Sequence, residues 1–110
     1  MANELVLGGK PLYLIVDLVK GSVNVFGFDA VDELSAPVDM TGYTVGIDIV
    51  PPDEVALQWT GAVQSAPNNR TIFSLTASAS TVDWQKSPAE LWINNGSGRR
   101  VWARGYVRFS

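Results

Sequence analysis

Apolar and polar residues alternate with a period of two along most of the chain, and the 3.6-residue period of an amphipathic helix is nearly absent. In YTVGIDIV (43–50) the residues Tyr43, Val45, Ile47 and Ile49 share one face, which predicts a half-buried strand. Pro51-Pro52 ends it, because neither ring can donate to a ladder. VALQWT (55–60) alternates through Val55, Leu57 and Trp59. VNVFGF (23–28) and RTIFSLT (70–76) predict two more strands. PLYLIVDL (11–18) is apolar at nearly every position and predicts a strand buried on both faces. The polar connection 29–42 is punctuated by Pro37 and Gly42. SASTVDWQKSP (78–88) predicts one helical turn near 80–85, with Ser80 as its N-cap.

The last twenty residues, LWINNGSGRRVWARGYVRFS, predict a hairpin around a Gly/Asn/Ser turn. The total is about seven short strands, which predicts an all-β fold: an antiparallel β-sandwich with Ig-like, Greek-key connections. A small closed barrel is the competing architecture. The sandwich domain is expected over residues 11–110. Residues 1–10 have no core partner in this scheme. They form either an arm, hinged at Gly8-Gly9, that adds to a neighbour's sheet, or a frayed terminus.

The closing hairpin poses a question of parity. Val101, Ala103, Gly105, Val107 and Phe109 fall on one face of its second strand; Trp102, Arg104, Tyr106 and Arg108 fall on the other. Opposed residues of an antiparallel pair share a face. An odd loop count, or a bulge, places Leu91 and Ile93 with the small apolar set and Trp92 with the Arg and aromatic set. An even count does the reverse. The odd arrangement gives an apolar inner face and is the expectation. Its outer face would carry Trp92, Trp102, Arg104, Tyr106 and Arg108. Trp, Tyr and Arg are the types enriched at interface hot spots, so these five are the candidate protein-interface residues. Trp59 and Trp84 are expected in the core or beneath a loop.

Composition narrows the chemistry. The 110 residues contain no Cys and no His, which excludes disulfides, thiol nucleophiles, Cys/His zinc sites and a His general base. Phosphate-loop and dinucleotide-binding glycine patterns are absent from the sequence. Asp29, Asp32 and Glu33 cluster in one loop, but without the spacing of a dedicated calcium site. No catalytic residue, cofactor or metal is expected. No apolar run approaches the length of a membrane span, and the first residues lack the pattern of a secretory leader.

Net charge is −3 and unevenly spread: nine acids and two bases over residues 1–54 give −7, two acids and six bases over 55–110 give +4. Such asymmetry either orients contacts between molecules or reflects opposite charges that neighbour each other in the fold. Arg99, Arg100, Arg104 and Arg108 interleave with Trp102 and Tyr106, as in sheets that stack bases. The acidic whole opposes a polyanion, so nucleic acid is not expected as a partner.

Three segments carry a resemblance: APVDMTGYTVGIDI (36–49), SLTASASTVDW (74–84) and PAELWINNGSGRRVWARGYVRF (88–109). In this order and spacing the chain resembles the small β-sandwich domains of tailed-bacteriophage virion proteins, such as the N-terminal domain of baseplate upper proteins. The resemblance covers roughly residues 11–109. Met40 stands where the family usually has Leu, a swap that packing tolerates. Baseplate proteins continue beyond the closing strand, which this sequence does not, so an accessory part is expected: capsid decoration, neck, or cladding of tail or baseplate. The resemblance implies a non-enzymatic structural protein, made in the bacterial host cytoplasm and located in the virion. Its implied partners are other virion proteins and further copies of itself. A carbohydrate- or surface-binding sandwich, stacking sugars on Trp92, Trp102 and Tyr106, is the alternative function.

Overall fold

The computed structural model describes residues 3–7, 12–50, 56–77 and 86–110. Nine strands are present among them: β1 (Asn3–Val6), β2 (Leu12–Leu18), β3 (Asn24–Val31), β4 (Thr44–Ile49), β5 (Leu57–Thr60), β6 (Ala62–Val63), β7 (Arg70–Leu75), β8 (Lys86–Asn94) and β9 (Arg99–Phe109). They form two sheets, a four-stranded one in the order β1-β3-β7-β6 and a five-stranded one in the order β2-β9-β8-β4-β5. The sandwich is therefore the architecture, with two strands more than the period-2 pattern predicts.

One addition is β1, which pairs with β3 through Asn3↔Phe28 to Val6↔Val31. The other is the two-residue β6, too short to show a period. It exists because the chain changes sheets at Gly61, between β5 and β6. A side chain there would meet the Phe73 ring, with a Cβ 2.9 Å from Cζ, so only glycine lets the crossing strand lie this close. The predicted helical turn at 80–85, with Ser80 and Trp84, and the Gly8-Gly9 hinge lie outside the described residues.

Two pairings correct the all-antiparallel expectation: β1 with β3 and β2 with β9 are parallel. A period of two fixes which face a residue takes but not the direction of its neighbour. The double burial expected for 11–18 is corrected as well. Leu14, Val16 and Leu18 are buried, while Tyr13, Ile15 and Asp17 are exposed, because β2 is an edge strand and the outer face of its sheet is uncovered.

The inner faces meet as the alternation demands. Val45, Ile47 and Ile49 of β4 are fully buried, as are Leu91, Ala103 and Val107 of the closing hairpin. Phe26 and Phe73 stack across β3 and β7 at 5.2 Å, and Phe28 packs edge-on to Phe73 at 6.0 Å. Trp59 is half-buried and sits edge-on to Phe109. Met40 is also fully buried. The turn that inserts it is closed by Asp39, whose Oδ1 accepts from the Thr41 amide at 2.8 Å, and by Gly42 at φ 85°.

Candidate functional site

Four of the five candidate interface residues, Trp92, Arg104, Tyr106 and Arg108, belong to the outer face of the five-stranded sheet. That face can be read as rows running across the strands. One row is Tyr13–Arg104–Glu90–Asp48–Gln58, from β2 through β9, β8 and β4 to β5. The next is Ile15–Tyr106–Pro88, and beyond it Asp17–Arg108–Lys86. Arg104 and Arg108 are exposed and Tyr106 is half-buried, so three of the five expected residues are open to solvent on this surface.

The turn Asn95–Gly98 holds four residues, an even count, and the parity is corrected by a bulge. Leu91 opposes Ala103 but Trp92 opposes Val101, which leaves Trp102 as the extra residue on β9. The bulge turns Trp102 inward beside Ala103. It is 4% exposed, packs edge-on against Phe28 at 6.4 Å and donates its indole N–H to the Val6 carbonyl at 3.0 Å. The expectation that Trp102 lies on the outer face is thus overturned, because alternation fails where one strand carries an unpaired residue. Val101 takes the outward place instead.

Trp92 does lie on the outer face, but it is covered. Its neighbour on β4 is Gly46, and a Cβ there would overlap the indole, at 2.7 Å from Cε2. The ring occupies the hollow that the glycine leaves. Asp48 Oδ1 accepts its N–H at 3.0 Å, and the Arg99 guanidinium lies 4.1 Å above the ring centroid. Only 7% of Trp92 is exposed, so it supports the surface rather than presenting itself.

Three ion pairs lie on this face. Arg104 Nε donates to Glu90 at 2.8 Å; Arg108 is bidentate on Asp17; Arg99 bonds Asp48. Burial opposes ionisation of Asp48. Donors from Gln58, Trp92 and Arg99 outweigh it and hold the carboxyl below its usual range. Asp17 is also held low, by the Arg108 hydrogen bond. Lys86 Nζ sits 3.9 Å from the Tyr106 centroid, and Tyr13 meets Tyr106 edge-on at 6.3 Å.

Three of the four arginines of β9 are thereby neutralised, and no continuous basic stripe runs along the strand. With Asp29 on Arg70 Nε at 2.8 Å, three of the four ion pairs among the described residues join an acid of the first half to a base of the second. Part of the charge asymmetry thus closes on itself inside the fold. In the acidic loop, Asp32 Oδ1 accepts from the amides of Leu34 and Ala36, which shapes a turn. Among the described residues no group of three acidic, His or Cys side chains is placed to hold a metal.

The surface also contains residues that the pattern alone did not single out. Tyr13 is 72% exposed and Ile15 43% exposed, both beside Tyr106 and Arg104 through the parallel pairing of β2 with β9. Their odd-numbered spacing in LYLIVDL was the available signal; the strand's neighbour was not.

No protein-family model and no curated protein matches the chain. Among solved structures the fold is similar to the N-terminal domain of phage TP901-1 ORF48. That likeness has a TM-score of 0.58 and 8% identity, and covers 100% of this chain and 99% of the other. It shows a shared sandwich.

Proposed function

We propose that the chain is a non-enzymatic structural subunit of a tailed-phage particle, acting through assembly with other virion proteins. The observation that carries this reading is the sandwich shared end to end with a domain of a phage protein. The order of the segments 36–49, 74–84 and 88–109 supports the same reading. The contact surface is the outer face of the five-stranded sheet, with Arg104, Tyr106 and Arg108 at its centre and Tyr13 and Ile15 at its rim. Rigid aromatic area beside arginines is the composition of a protein contact. Capsid, neck, tail and baseplate positions all suit such a subunit.

The glycan-stacking alternative loses two of its three platform residues. Trp102 is in the core and Trp92 is roofed by Arg99. The test is incorporation into particles. Mass spectrometry of purified particles should find the chain. A triple variant, Arg104→Ala, Tyr106→Ala and Arg108→Ala, should fold with unchanged circular dichroism yet fail to incorporate. Particles without the chain, or normal incorporation of the triple variant, would refute the proposal.

A further inference from the structure

The five-stranded sheet ends at β2, whose one sheet neighbour among the described residues is β9. Tyr13 (72%) and Ile15 (43%) on its outward face are exposed, and among the described residues no second strand pairs with β2 along its other edge. Seven residues of uncovered strand carry a row of backbone donors and acceptors that can template another strand. Natural edges are commonly protected by short length, proline, a bulge or an unpaired charge. β2 is long for an edge, has no proline and keeps regular pairing from Leu12 to Leu18. Its one charge, Asp17, is neutralised by Arg108.

The sequence of β2 is nearly symmetric about its centre. Leu12 mirrors Leu18, Leu14 mirrors Val16, Tyr13 mirrors Asp17, and Ile15 is the midpoint. We infer that β2 pairs antiparallel with β2 of a second copy, about a two-fold axis at Ile15. In that register every inward position meets an apolar partner: Leu12 meets Leu18 and Leu14 meets Val16. On the outer face Ile15 meets its own copy, and the Tyr13 hydroxyl faces the Asp17 carboxylate of the other chain. Asp17 never meets Asp17, so the edge charge does not oppose the pairing. A shift of the axis to Val16 would place Ile15 against Asp17 and Leu14 against Leu18, which wastes the outer apolar contact.

The occupant is a second copy rather than an unrelated strand because the complementarity is self-complementarity, the mark of an isologous contact. The dimer joins two five-stranded sheets into one and makes their outer faces continuous. One strand pair is a small interface, so the association is weak and depends on concentration. It does not depend on the chain belonging to a phage particle.

The absence of cysteine makes the register directly testable. Opposed Cα atoms of an antiparallel pair lie about 4.5–5.5 Å apart, within disulfide reach. Ile15→Cys should cross-link to a dimer under mild oxidation at least ~10-fold faster than Val25→Cys, an exposed position on the other sheet. Sedimentation of the unmodified chain up to about 1 mM should show a mass rising from one chain toward two, and Ile15→Lys should hold it at one. Equal cross-linking of the two cysteine variants overturns the inference. So does a mass that stays at one chain, or a mass that rises equally in Ile15→Lys.

Discussion

Replacing Trp102 with alanine tests whether this indole is a core element or a surface contact. The residue is 4% exposed, packs on Phe28 and donates to the Val6 carbonyl. Truncating a buried aromatic to alanine costs about 3–5 kcal/mol in transfer and cavity terms. Losing the donor leaves the Val6 carbonyl short of its partner, about 1 kcal/mol more. The sum, about 4–6 kcal/mol, is a large part of the roughly 5–15 kcal/mol expected for a domain of this size. With a urea slope of about 2 kcal/mol/M, the unfolding midpoint should fall by about 2–3 M. Circular dichroism is the suitable probe, since the substitution removes a fluorophore. Trp102→Phe keeps most of the packing and should lose only about 1–2 kcal/mol. Hydrogen exchange at Leu5–Leu7 should quicken in both variants, because β1 loses its tie to β9. A loss below about 1 kcal/mol in Trp102→Ala would refute the inward placement and the bulge that produces it.

Three further outcomes follow from named contacts. Gly105→Ala would set a Cβ against the Leu14 carbonyl, backbone on backbone, so β2 must leave β9; a loss above about 4 kcal/mol, or insoluble protein, is expected on expression and thermal melting. Asp48 has a folded pKa below its unfolded value, so its stabilisation is full above the unfolded pKa near ~4 and is lost as pH falls through the folded value. Thermal midpoints measured from about pH 5 to pH 2 should therefore fall less steeply in Asp48→Asn than in the parent. Ser87 is fully buried, and its hydroxyl finds no hydrogen-bond partner among the described residues, so Ser87→Ala should be neutral or stabilise by up to about 1 kcal/mol in denaturant titration.

What the sequence made legible is what alternation encodes. Tyr43, Val45, Ile47 and Ile49 point inward as their spacing requires, and Leu91, Ala103 and Val107 form the inner face of the closing hairpin. What it hid depends on neighbours in space. Nothing in PLYLIVDL says that the strand runs parallel to β9 at a sheet edge, so Tyr13 and Ile15 stayed among the apparent core. Nothing in RRVWARGYV marks Trp102 as the unpaired residue of a bulge, because a bulge is set by the register of two strands. Alternation with a bulge puts Trp92 on the outer face, but its burial depends on Gly46 of β4 and on Arg99 beside it. The charge asymmetry was visible as a sum, and its pairing across the two halves was not.

The outer face of the five-stranded sheet is the surface on which assembly into a particle would depend. If the chain is a virion subunit as proposed, a cryo-electron-microscopy reconstruction of a tailed-phage particle assembled with it should show Arg104, Tyr106 and Arg108 covered by a neighbouring virion protein in every copy. A chain absent from the particle, or one held by another surface with these three side chains open to solvent, would contradict it.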